Sequence, residues 1–173
     1  MNFKAKEINL IALFSALIAV GAFIKIPFFI VPITFQTLFV VLSALVLDKR
    51  SAVLSVIVYL VIGLIGVPIF ANGGGIGYVL NPTFGYLVGF VFSAYFIASF
   101  KTKNLYFISF IGILIIYFFG MIYFVFIQYI FYNKVFLVSF LFYNLFLIFL
   151  PGDIFSCVVA VLGYQKVKKI FKK

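Results

Sequence analysis

Asn104-Leu-Tyr-Phe-Ile-Ser-Phe-Ile-Gly-Ile-Leu-Ile-Ile-Tyr-Phe-Phe-Gly-Met-Ile-Tyr-Phe-Val-Phe-Ile-Gln-Tyr-Ile-Phe131 contains no charged residue. A helix rises about 1.5 Å per residue and the hydrocarbon core of a bilayer is about 30 Å thick, so roughly 20 such residues cross it. Outward from this stretch, the same pattern marks further candidate spans at about 8–24, 33–47, 51–67, 82–100 and 152–170. The 173-residue chain is 67% hydrophobic and 9% charged, against about 25% charged in soluble domains. A soluble core of this size cannot hide that much apolar surface, so the solvent is lipid. The expected fold is an all-α integral membrane protein: a six-transmembrane-helix bundle, with residues 1–173 forming a single domain in the cell membrane. The stretch 8–24 lacks a small-x-small cleavage pattern and reads as a retained helix.

A net charge of +10 raises the question of nucleic acid, and its distribution answers it. Lys4, Lys6, Lys49, Arg50, Lys101, Lys103, Lys166, Lys168, Lys169, Lys172 and Lys173 fall on one side of a six-span topology, with only Lys25 and Lys134 on the other. Positively charged loops stay inside, which makes both termini cytoplasmic and the bilayer, not nucleic acid, the polyelectrolyte partner. A seventh span over 135–150 would move the C-terminal lysines outside, so that segment is expected to be a short helix against the outer side of the bundle. Span 33–47 would reach only about 22 Å as a helix and needs an extended lead-in from Pro32.

Polar residues in the apolar body gather in a few places. Asp153, in Leu150-Pro-Gly-Asp153, is its only acid; Glu7 and Asp48 lie among basic residues at segment ends. An ionisable group in hydrocarbon costs roughly 2.5–3.5 kcal/mol on insertion scales, so its retention points to function. A helix N-cap is the simpler use of an aspartate after Pro-Gly, and capping is compatible with ligand contact. Thr34 and Gln36, then Asn72-Gly73-Gly74-Gly75, then Asn81-Pro-Thr83 and Tyr86 supply further polar groups on the outward loops and helix starts. Together they suggest one small-molecule site, with Asp153, Asn72 and Gln36 as polar contacts, Gly73 and Gly74 allowing close backbone approach, and Tyr86 as an apolar wall. Each loop residue also fits an ordinary turn.

The glycine run is not a nucleotide loop: no Lys-Ser/Thr follows it, and the dinucleotide pattern fails at its third glycine. There is no histidine and one cysteine, Cys157. Cys/His metal motifs and catalytic His pairings are therefore absent, and neither an enzyme nor a cofactor is expected. Ala12-Leu-Phe-Ser-Ala16, extended by Ser15 and Ala19, and Gly85-Tyr-Leu-Val-Gly89 place small residues one turn apart, a spacing that brings helices close in lipid.

In order along the chain, Ala12-Leu-Phe-Ser-Ala16 through Lys25-Ile-Pro27, Val31-Pro-Ile-Thr-Phe-Gln36-Thr-Leu-Phe39, Leu64-Ile-Gly-Val-Pro68-Ile-Phe70, Pro82-Thr-Phe-Gly85-Tyr86-Leu-Val-Gly89 and Leu150-Pro-Gly-Asp153 strongly resemble the BioY family. That family comprises the biotin-binding S components of energy-coupling factor (ECF) importers. The resemblance implies six helices and vitamin capture near the outer face. It also implies docking of a transmembrane coupling subunit on the Ala-xxx-Ala face, here Ala12 and Ala16, with energy arriving from ATPase subunits. A lysine common in the family three residues after the aspartate is Ser156 here, which places Ser156 among the implied contacts. A basic residue that some members carry after Gly-Tyr is Leu87. The implied function is biotin capture for import. The alternatives left by the residues are another small vitamin, such as riboflavin or thiamine, and a membrane scaffold without a ligand.

Overall fold

The structure, a computed structural model, describes residues 4–27, 31–101 and 104–170. Helix α1 (Ala5–Phe23) leads into a two-stranded antiparallel hairpin, β1 (Lys25–Ile26) and β2 (Ile33–Thr34), and then α2 (Gln36–Val46). Helix α3 (Lys49–Leu64) follows, then a loop with a 3-10 turn at Ile76–Leu80, α4 (Phe84–Phe100) and α5 (Leu105–Tyr132). The last part is α6 (Val138–Phe142), a π-helical turn at Tyr143–Leu147 and α7 (Leu150–Ile170). This is the expected all-α membrane bundle. Among the described residues, Ala5–Phe23, Leu105–Phe131 and Ser139–Lys169 are long and apolar enough to cross a membrane, and α2 and α4 are shorter apolar helices.

Polar side chains end the helices at the lysine-rich turns. The Asp48 carboxylate accepts from the N–H groups of Arg50 (2.9 Å) and Ser51 (3.2 Å) and starts α3. The Asn104 side chain does the same for α5 through Tyr106 and Phe107. Such caps satisfy N–H groups that no earlier carbonyl can reach. The Lys101 ammonium donates to the carbonyls of Leu45 and Leu47, placing a cation at the negative end of α2. At the other end α3 closes on Gly66 (φ 118°), with Gly66 N–H to Gly63 O and Val67 N–H to Ile62 O. Asn133, at φ 48°, terminates α5.

Helix α2 is short because it is interior. Gln36, Thr37, Val40, Val41, Ser43, Ala44 and Leu45 are all buried, and it packs on α7, α1 and α4. At eleven residues it covers about 16 Å, and the hairpin supplies the extended lead-in. Helices α4 and α5 interlock through glycines. A Cβ on Gly85 would lie 2.2 Å from Tyr123 Cβ, and one on Gly89 would lie 2.9 Å from Ile116 Cα. From the α5 side, a Cβ on Gly120 would meet the Tyr86 ring at 2.5 Å. The Gly85/Gly89 face is therefore bundle packing, and it sets Tyr86, Ile116 and their neighbours in place. Large side chains such as Phe107, Phe118, Tyr129 and Phe131 stay more than half exposed, the surface left for lipid.

Two expectations change. Residues 135–150 do not form a separate helix lying on the bundle. From Val138 the chain keeps helical dihedrals through the π turn into α7, because Tyr143 and Ile148 both stay right-handed helical despite Pro151 just beyond. Ser15 does not share an open face with Ala12 and Ala16. It is buried and its hydroxyl donates to Ser55 O of α3 at 2.7 Å.

Candidate ligand-binding site

The hairpin builds one wall. Its register pairs Lys25 with Thr34 and Ile26 with Ile33. The Phe35 N–H donates to the carbonyls of Gly21 and Ile24 at 3.2 Å each, drawing the start of α2 back against the end of α1. A Cβ on Gly21 would sit 2.9 Å from Phe35 O, so only glycine allows this approach. Val31, Pro32, Ile33 and Thr34 then face a cavity together with Gln36 and Thr37 of α2. The long loop contributes Ala71, Tyr78 and Thr83; α4 contributes Tyr86, Leu87 and Phe90; α5 contributes Ile116 and Tyr117; and the last helical run contributes Phe149 and Asp153. The atom-free space, counted to its open mouth and including the solvent there, is about 560 Å3.

Three groups of polar atoms are fixed around this space. The Tyr117 hydroxyl donates to Oδ2 of Asp153, and Thr37 lines the same cavity. Gln36 Nε2 donates to the Tyr59 hydroxyl at 2.7 Å while its Oε1 accepts from Thr34 at 3.2 Å. Tyr78 and Thr83 share a hydroxyl contact of 3.0 Å, and Asn81 Oδ1 accepts from both the N–H and the hydroxyl of Thr83. Tyr86 directs its hydroxyl away, to Leu145 O at 3.4 Å, and offers its ring. Asp153 is only 8% exposed, and among the described residues no lysine or arginine lines the cavity. A buried carboxylate without a cation is costly unless hydrogen bonds compensate it. The Tyr117 bond does part of this, and an ionised carboxylate can accept about four hydrogen bonds. Acceptor capacity therefore remains for N–H groups of a ligand.

Of the site residues named from sequence, the structure brings together Thr34, Gln36, Thr83, Tyr86 and Asp153. It does not bring Asn72, Gly73, Gly74 or Ser156 to the cavity lining. The glycine run makes a tight turn. Phe70 and Gly73 exchange backbone hydrogen bonds, Gly73 has φ 119°, and a Cβ on Gly74 would lie 2.3 Å from Val67 O. Asn72 is exposed, and its neighbour Ala71 does the lining. Ser156 is buried one turn beyond Asp153. Asp153 is not an N-cap either: its N–H donates to Phe149 O at 3.0 Å, inside a helix that has already begun. Lys25 stands at the rim, its ammonium donating to Ala71 O. Ala12 and Ala16 are both exposed on α1.

Tyr117, Thr37, Tyr78, Phe90 and Phe149 were not singled out from sequence. Tyr117 carried one signal, a hydroxyl in the middle of the longest apolar stretch, where an unbonded polar atom is expensive. Among the described residues no cluster of His, Cys, Asp and Glu is arranged to hold a metal ion.

The whole architecture has a solved counterpart. The crystal structure of the S-component for biotin from an ECF-type ABC transporter superposes with a TM-score of 0.81, at 26% identity over 97% of this chain and 95% of that one. A probable biotin transporter BioY from Lysinibacillus sphaericus is 56% identical over 49% of this chain and 43% of its own length. A probable biotin transporter BioY from Pyrococcus horikoshii is 41% identical over 65% of this chain and 70% of its own. The biotin transporter BioY of Thermotoga maritima is 46% identical over 53% and 55%, respectively. The match thus spans about half the length of the Lysinibacillus and Thermotoga relatives. The sequence profile of the BioY family matches residues 1–173, and with the shared helical architecture this places the chain in the BioY family of membrane proteins.

Proposed function

We propose that this protein is the biotin-capturing subunit of a vitamin importer. The observation that carries the reading is a buried carboxylate, Asp153, held by Tyr117 in a largely apolar and aromatic cavity. Biotin offers a ureido ring with two N–H donors, an apolar thioether ring and a flexible acid tail. The N–H donors suit Asp153, and the rings of Tyr86, Phe90 and Tyr78 suit the bicycle. Placed polar groups in an apolar concavity are the usual means of orienting and holding such a ligand. The names of the similar proteins support the same ligand.

The cavity belongs to the end of the bundle opposite the lysine-rich turns, the outer face under the positive-inside rule. Residues 1–173 act as one binding unit. The exposed Ala12 and Ala16 are the docking face for a transmembrane coupling subunit, because small side chains one turn apart let another helix approach closely. ATPase subunits of the ECF module supply the energy, since this chain carries no nucleotide motif. Its role is binding, not catalysis.

Calorimetry on detergent-purified protein tests the assignment. Asp153→Asn lowers biotin affinity by about 1.5–3 kcal/mol, the range of a hydrogen bond to a charged group; unchanged affinity in a folded variant removes Asp153 from the site. One observation favours a second ligand. An acidic, aromatic cavity with no lining cation also suits a cationic vitamin such as thiamine. Thermal shift with biotin, thiamine and riboflavin in parallel separates these readings.

A further inference from the structure

The biotin reading leaves one chemical requirement open. Its ligand has N–H donors at one end and a carboxylate at the other, yet among the described residues the only charged group lining the cavity is itself a carboxylate. Lys25 is placed to meet the need. It lies on β1 directly across from Thr34, a lining residue, and its ammonium donates to the carbonyl of Ala71, a second lining residue on the opposite wall. Lys25 thus bridges the hairpin and the long loop at the rim. Its residue is exposed and outside the lining, and the bond to Ala71 holds its ammonium beside the cavity. Most of the other cations cluster at the far end, around Asp48 and at the C-terminus. An ammonium has three donors, and Ala71 uses one.

We infer that Lys25 binds the ligand's carboxylate at the mouth of the cavity and sets the ligand's direction, with the N–H end against Asp153 and the acid end outward under the ammonium. The assignment rests on the biotin reading. It makes Lys25 a specificity residue for acids over neutral analogues. It also explains how Leu87, a lining residue, can be apolar: the counter-charge comes from the hairpin instead of from α4. A charge-assisted bond replaces part of the ammonium's hydration, and because the rim stays open to water, the contribution is at the low end for such bonds and falls with salt.

The experiment measures binding of biotin and of biotin methyl ester, which lacks the charge, to wild type, Lys25→Gln and Lys25→Arg in detergent. Wild type is expected to prefer the acid by about tenfold, the lower bound for a hydrogen bond to a charged group. Lys25→Gln is expected to lose about that factor for biotin and less than about twofold for the ester, and Lys25→Arg to keep most of the preference. Equal losses for acid and ester in Lys25→Gln would mean that the residue only ties the hairpin to Ala71, and the assignment falls. No loss for either would place the carboxylate elsewhere and also overturn it. If wild type binds neither probe, the biotin reading itself fails.

Discussion

Removing the Tyr117 hydroxyl tests how the bundle holds a carboxylate in its interior. Tyr117→Phe keeps the ring, which packs edge-on against Phe146 at 5.2 Å, and deletes only the donor to Asp153 Oδ2. The Asp153 carboxylate thereby loses its hydrogen bond from α5. Two magnitudes compete. Interhelical hydrogen bonds between neutral groups in membrane proteins average about 0.6 kcal/mol and reach about 1.7. A bond to a buried charged acceptor is worth about 1.5–3 kcal/mol, and its removal leaves the desolvation cost unrelieved. Asp153 is 8% exposed with no lining cation among the described residues, so the larger figure applies. The assay is a double-mutant cycle with Asp153→Asn, read by reversible unfolding in mixed micelles without ligand. Tyr117→Phe alone should cost about 1.5–3 kcal/mol, and much less when residue 153 is already Asn. A coupling below about 0.5 kcal/mol, the usual limit of additivity, would mean that Tyr117 does not compensate a charge at Asp153.

Gly85→Ala forces a Cβ to within 2.2 Å of Tyr123 Cβ and 2.7 Å of Phe119 O; it should destabilise the bundle by about 1–3 kcal/mol as overpacking, measured by the same unfolding. Gly66→Ala meets nothing within 4 Å but keeps φ at 118°, so its cost is confined to backbone strain of about 1–2 kcal/mol, and a larger loss would show that the Gly66 turn also packs. Ala12→Trp and Ala16→Trp should leave biotin affinity within about twofold and abolish ATP-dependent uptake in vesicles that contain the coupling and ATPase subunits; uptake at the wild-type rate would reduce that face to ordinary helix surface. At Asp48 burial raises the carboxyl, but hydrogen bonds from the Ser51 and Arg50 N–H groups hold it below its ordinary 3.8. Its stabilisation is therefore complete above about pH 5 and lost as pH falls through the folded value below 3.8. Asp48→Ala should cost about 1 kcal/mol at pH 7 and less once the carboxyl is protonated, as followed by thermal unfolding across pH. Cysteines introduced at Gly74 and Asn133 should react with an impermeant reagent from outside, whereas one at Arg50 should not; the reverse pattern would invert the topology.

The helices were legible because lipid imposes a one-dimensional rule. Backbone polar groups in hydrocarbon must be satisfied within the segment, so each apolar run between charged or Pro/Gly-rich stretches becomes a helix. That is why the expected spans at 8–24, 51–67, 82–100, 104–131 and 152–170 lie within a few residues of α1, α3, α4, α5 and α7. The same rule marked Asp153, since an acid in an apolar run is an exception visible in one dimension. It was silent on the stretch 135–150, where π-turn geometry joins α6 to α7 although Pro151 suggested a break.

The lining of the cavity was decided by helix rotation and crossing, which depend on which small residues meet. Asn72 and Ser156 have the right chemistry, but the glycine turn leaves Asn72 exposed, and Ser156 is buried one turn beyond Asp153, outside the cavity lining. Tyr117 looks like one aromatic among many in sequence. It reaches Asp153, 36 residues on, because Gly89 and Gly120 let α4 and α5 close together while α2 holds α7 against them. Composition and charge order therefore determined that the chain is a membrane bundle, which way it faces under the positive-inside rule, and that it keeps one acid inside. Which side chains surround that acid was settled only when close-packed surfaces locked, because in lipid helices associate by fit between particular faces and not by hydrophobicity alone.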